Sequence, residues 1–178
     1  AGGGGVRSDL TTAFIAAKDA SFRRPRQLLV FKFPTAGPVY VSDQPLGAAD
    51  GLANEYRALV ESWGELQGTT GDATAADSGE ISQMSLTLWN GGEQPFSDYF
   101  LGEYPENVEV ELYQWFSGLA ETDKALIDRF VVSDPIEFDE ASRLLTIDLV
   151  SLPIRYDQPC GELLTREVWP HADDTDIG

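Results

Sequence analysis

The sequence predicts a mainly β fold, a barrel or sandwich with an N-terminal helix and one short inserted helix. Three observations predict it. Short segments alternate apolar and polar residues, as in "MSLTLW" (Met84–Trp89), "NVEVELYQWF" (Asn107–Phe116) and "LLTIDLV" (Leu144–Val150). Clusters of Gly, Pro, Asn, Asp and Ser punctuate them at short spacing. Only "SDLTTAFIAAKDA" (Ser8–Ala20) has a clear helical stripe.

In chain order, that helix is capped by Ser8 or Asp9, and Leu10, Phe14 and Ala17 share one face with Ile15 at its edge. "FRRPR" ends it, because Pro25 disfavours helix at Arg24. "QLLVFKF" (Gln27–Phe33) reads as a strand apolar on nearly both faces. It forms a hairpin with Pro38–Asp43 across "PTAG". "QPLGAADGLANEYRA" is loop-like, and Leu59–Leu66 is an extended strand in which Val60 alternates with Glu61. Gln67–Gly79 has no apolar period and reads as a mobile loop that orders only in an assembly.

Met84, Leu86 and Leu88 then point one way, and Ser85 and Thr87 the other. A short helix or turn follows, with Phe96, Tyr99 and Phe100 packing down. Val108, Val110 and Leu112 face in, and Glu109 and Glu111 face out. The remainder reads as a strand to Val132, a turn at Ser133–Pro135, a short edge around Phe138, the turn "DEAS" and a last strand through Leu145, Ile147 and Leu149. The organisation expected is a flexible lead-in at 1–7, a helix with a basic arm at 8–26, a β domain at 27–156 and an extended acidic tail at 157–178.

Thirty acids against twelve bases give a formal net charge of -18. Such a body repels phosphate and anionic lipid surfaces, so gripping nucleic acid or membrane is not its expected work. No apolar run is long enough to span a bilayer, and "AGGGGVRS" lacks the layout of a secretory signal. The charge is uneven: residues 1–32 carry a net +4 and the rest −22. The basic segment with Arg23, Arg24 and Arg26 can therefore dock on the acidic body or on a neighbouring copy. Cys160 is the single cysteine, which leaves no cysteine cluster for zinc or iron–sulfur and suggests a reducing compartment during assembly.

Catalytic constellations are not expected. His171 is the single histidine, sits in the aperiodic tail and is not accompanied by a G-x-S-x-G elbow. "HADDTD" lacks the spacing of a calcium loop, so Asp173, Asp174 and Asp176 read as solvated or as interface acids rather than metal ligands. "GGGG" at Gly2–Gly5 is not preceded by a strand and is not followed by Gly-Lys-Ser/Thr, so it is no phosphate loop. No catalytic, cofactor or metal site is assigned. Trp63, Trp89, Trp115 and Trp169 read as core or interface anchors.

The order of motifs resembles the N-terminal region of baseplate-hub and tail-tip proteins of tailed bacteriophages, prophages and gene transfer agents. The resemblance rests on "LLVFKF" (Leu28–Phe33), "SLTLWN" (Ser85–Asn90), "FSDYF" (Phe96–Phe100), "NVEVELYQWF" (Asn107–Phe116), "FVVSDP" (Phe130–Pro135), "DEASRLLTIDL" (Asp139–Leu149) and the closing "WPHADDTDIG" (Trp169–Gly178). The chain departs from the pattern at Trp115–Phe116, where the family has Gly-Phe, and lacks a glycine before "VSDP". Family chains continue past the last motif into further domains.

The resemblance implies a tail-tube-like β-barrel and a structural, non-enzymatic role in the virion. That role is a ring, trimeric before hexameric, joining the tail tube or distal tail ring to tip or fibre proteins. DNA would pass through its lumen only transiently. It also implies synthesis in the host cytoplasm. A distal tail protein or tube-end adaptor is the nearest alternative, and a tail-borne carbohydrate or cell-wall hydrolase is the alternative of another class. The hydrolase would show close paired carboxylates in a cleft.

The tail carries its own expectation. Trp169 followed by a proline and acids has the layout of a strap seated in a neighbouring chain, because a buried indole can anchor an interface. Trp169→Ala is expected to leave the subunit folded by circular dichroism and to lower its incorporation into particles. A variant that unfolds, with assembly per folded subunit unchanged, makes Trp169 a core residue instead.

Overall fold

The computed structural model of the protein describes residues 10–20, 24–69 and 81–151. Helix α1 spans Thr12–Asp19, and the Thr11 hydroxyl caps it by accepting the Phe14 N–H at 3.1 Å. The start is thus Thr11 rather than Ser8 or Asp9, both of which lie outside the described residues. Leu10, Phe14 and Ala17 share the buried stripe against Phe116 and Ala125. The helix stops at Ala20, well before Pro25. Pro25 does something else: it opens the first strand, where a missing N–H is tolerated.

The strands are β1 Pro25–Phe33, β2 Gly37–Ser42, β3 Arg57–Ala58, β4 Val60–Trp63, β5 Gln67–Thr69, β6 Ile81–Trp89, β7 Glu109–Phe116, β8 Ala125–Asp139 and β9 Leu144–Ser151. They form one sheet in the order β3-β2-β1-β7-β8-β9-β6-β4, with β5 also on β6. Every pairing is antiparallel except β2 with β3. The two ends of this order, β3 and β4, are consecutive in the chain with Leu59 alone between them. The Leu59 N–H donates to the Ser42 carbonyl at 3.0 Å, and the Leu59 carbonyl accepts the Trp89 N–H at 2.7 Å. The sheet therefore curls until the chain itself links its ends, a barrel-like answer to the problem of exposed edges. It is a curled single sheet rather than two stacked ones.

Alternation decides what fills the curl. Leu29, Phe31 and Phe33 of β1 face inward with Val110 and Leu112 of β7, Leu86 and Leu88 of β6, and Ile147 and Leu149 of β9. The inserted helix is a 3₁₀ turn, Phe96–Phe100, and it closes one end of the curl. Phe96 is buried edge-on to Phe31 at 4.9 Å, and Phe100 meets Phe33 at 5.1 Å. Asn90, itself buried, holds the turn in place: its Oδ1 accepts the Ser97 N–H at 2.7 Å and its Nδ2 donates to the Ser97 hydroxyl at 3.0 Å. Arg57 reaches the same turn through the Gln94 carbonyl and the Tyr99 hydroxyl.

Three sequence expectations need correction. Ser133–Pro135 is not a turn, because β8 runs unbroken through it. The register with β9 slips between Ser133 and Glu137, and that irregularity absorbs a proline that cannot donate to the ladder. Gln67–Thr69, expected within the mobile loop, is strand β5, since backbone pairing with β6 needs no apolar period; residues 70–80 lie outside the described residues. The segment read as a loop after β2 packs firmly. Leu46, Leu52 and Tyr56 bury with Leu28 and Trp115 on the outer face of β1 and β7, forming a second core.

Phe96 is the test of the closed end. Phe96→Ala removes a fully buried ring from a cluster of five aromatics that includes Phe31, Phe33, Tyr99 and Phe100. It is expected to lower the unfolding free energy by about 3–5 kcal/mol, read as a drop in the urea midpoint at unchanged slope.

Candidate assembly surfaces

The outward positions of β7 carry the acids singled out in the sequence, and the structure separates them. Glu109 is half-buried at the outer face beside Lys32 in register. Glu111 also points away from the core, yet it is buried. The reason lies in the neighbouring strands. Lys32 of β1 donates to Glu111 Oε1 at 2.6 Å, Arg129 of β8 approaches the same oxygen at 3.3 Å, and the Tyr113 hydroxyl donates to Oε2 at 2.7 Å. Burial by itself would raise the Glu111 carboxyl; the hydrogen bonds from Lys32 and Tyr113 and the charges of Lys32 and Arg129 outweigh it and hold it below the usual range. Burial and the neighbouring carboxylate push the Tyr113 phenol up. Glu111 is thus a neutralised tie across three strands, not a free negative surface charge.

A second buried carboxylate was not legible in the sequence. Glu121 sits in a short 3₁₀ turn, Glu121–Asp123, within the stretch read as a plain loop. It accepts the Ala53 and Asn54 N–H groups at 2.8 and 2.9 Å, the Asn54 amide, the Tyr56 hydroxyl at 3.0 Å and the Lys124 ammonium at 2.9 Å. Lys124 also lies over the Tyr113 ring at 4.5 Å. Together these contacts fasten the segment that covers the outer core. A glutamate three residues before a lysine, beside turn residues, is too common a pattern to announce this.

The expected interface residues are distributed as follows. Arg24 is exposed at the helix end of the curl, and its carbonyl accepts the Ser117 N–H. Arg26 lies on β1, 3.9 Å from Asp43 of its own chain, a half-exposed pair of small energetic weight. Arg23, Trp169, Asp173, Asp174 and Asp176 lie outside the described residues.

Among the described residues no group of three His, Cys, Asp or Glu side chains could hold a metal ion. One groove of about 340 Å³ has two carboxylates in its lining, Glu65 and Asp148, beside Ser85 and Ser133. Both carboxylates are exposed.

No family model matches the chain, and no curated protein does. Its fold is similar to that of a chain in a solved structure described as the virion of a native gene transfer agent particle, with a TM-score of 0.57 and 12% identity. The likeness covers 85% of this chain and 48% of that one, so this chain spans about half of its length.

The Glu121 tie has a pH signature. Burial raises its carboxyl, but the hydrogen bonds from Lys124 and Asn54 and the charge of Lys124 bring it down to about 2. A carboxyl depressed in the folded state stabilises fully above its unfolded value near 4.3 and loses that contribution as pH falls toward about 2. The full shift corresponds to about 3 kcal/mol, and partial solvent screening of the Lys124 pair reduces the expected figure to about 1–2 kcal/mol. Glu121→Gln is therefore expected to unfold at lower urea at pH 7 and to show a flatter stability profile between pH 5 and 2. An unchanged profile removes Glu121 from this role.

Proposed function

We propose that this chain is a structural component of a phage-like virion, placed at the tail tip or baseplate hub. In that reading it forms a ring with other copies of itself, joins the tail tube or distal tail ring to tip or fibre proteins, and lines the conduit through which DNA passes. It performs no catalysis. The observation that carries the reading is the fold likeness to the gene transfer agent virion chain across 85% of this chain.

Three further observations support it. Six of the seven motifs that resemble hub proteins fall in order on β1, β6, the Phe96–Phe100 turn, β7, β8 and the β8–β9 hairpin, and the closing one, Trp169–Gly178, lies outside the described residues. The net charge of -18 suits a wall past which DNA slides without sticking. The aromatic-plugged end and the two packed cores would suit repeated packing in a ring. Because Glu111 is neutralised, a negative lining would have to come from other acids.

A reconstruction of the assembled particle tests the reading through symmetry. A three-fold ring at the tip is the expected result. A six-fold ring moves the chain to the distal tail or tube-end position, and a single copy per particle ends the ring.

A further inference from the structure

The curl has two unlike ends. β1 and β7 pair from Pro25 opposite Phe116 to Lys32 opposite Glu109, so those pairs mark opposite ends of the ladder, roughly 23 Å apart at about 3.3 Å per residue. Helix α1 packs at the Phe116 end. The Phe96–Phe100 turn and the loop after it close the other, where the Glu103 carboxylate accepts the Thr35 N–H from the β1–β2 turn at 2.8 Å.

The plugged end is apolar and acidic at once. Leu101 and Tyr104 stand 78% and 70% exposed, the most exposed large hydrophobics among the described residues. They are not on a loose loop. Leu101 N–H donates to the Asp98 carbonyl, Glu103 N–H to that of Phe100, and Asn107 N–H to that of Tyr104. Two apolar side chains held out on a hydrogen-bonded loop are preorganised for contact, which lowers the entropic cost of binding. Residues 92–107 contain Glu93, Asp98, Glu103 and Glu106 and no lysine or arginine.

The helix end is its complement. An open groove of about 590 Å³ there has Ala17, Ala20, Ala49 and Phe116 in its lining, with Arg24 beside them. Lys18 is exposed on the last turn of α1. The one acid in the lining, Asp50, accepts its own chain's Gly47 N–H at 3.0 Å.

We infer that the chain binds a second copy of itself head to tail, with Leu101 and Tyr104 of one copy entering the groove between α1 and the Ser117–Gly118 turn of the next. The acids of the 92–107 loop then face Lys18 and Arg24. This arrangement sets two exposed bases of one copy against the acids of the next, in bodies of net charge -18. The contact joins two different surfaces, so it propagates, and it closes into a ring where the rotation allows. The inference deepens the ring reading by naming its contact, and it can fail while the chain remains a virion component bound to other proteins.

The test is sedimentation velocity of the purified chain across a concentration series. The wild type is expected to self-associate. The double variants Leu101→Asp/Tyr104→Asp and Lys18→Glu/Arg24→Glu are each expected to remain monomeric. Mixed in equal amounts, they are expected to form a one-to-one dimer that grows no further, because one intact groove meets one intact loop. Hydrogen exchange on the wild type, which needs no substitution, is expected to show protection rising with concentration at residues 98–106 and 14–20 together. A wild type that stays monomeric overturns the contact, and so does a mixture that stays monomeric although circular dichroism shows both variants folded. Protection confined to other surfaces does the same.

Discussion

The structure depends on what happens at Leu59. A sheet whose inner face is this apolar has to curl around its own side chains, and curling brings two edges close without pairing them. One residue resolves this: the Leu59 N–H is given to β2, its carbonyl receives the β6 N–H, and its side chain enters the inner core. Backbone polarity at the seam is satisfied while the apolar interior stays sealed. The remaining opening is stopped by the Phe96–Phe100 turn, whose own exposed backbone is managed by Asn90 and Arg57.

The outer face follows a second logic. Burying a carboxylate is costly unless it is paired and hydrogen-bonded. Glu111 and Glu121 meet that condition with Lys32, Arg129 and Lys124. Lys32, Arg129 and Lys124 are thereby engaged within the subunit, and Arg57 is engaged at the plug. Contacts between such bodies depend on ionic strength, and any favourable one has to use the places where bases or apolar side chains remain outward.

A curled β sheet with a capped end does not by itself name a function, since unrelated activities share such architectures. What narrows the reading here is the coincidence of a fold similar to that of a virion chain, strong negative charge, and two chemically different ends. In the reading proposed above, these properties would suit a building block that repeats, keeps its shape and does not hold on to DNA.

The sequence by itself determined the mainly β class, the apolar faces of β6, β7 and β9, the helix stripe through Phe14, and the aromatic turn at Phe96. All of these are written in periods of two or 3.6, which are local. Tertiary structure decided the rest. Pro135 reads as a chain reversal, yet pairing with β9 carries the strand through it, because a bulge can be supported from a neighbour that the local sequence does not reveal. The burial of Leu46, Leu52 and Tyr56 depends on the outer face of β1 and β7 being there to receive them. Glu111 and Glu121 look like any surface acids until strands and turns 65 or more residues away deliver Lys32 and Tyr56 to their oxygens. Charge pairing across a sheet is a property of register and closure, and neither is encoded within the short window that a periodicity reads.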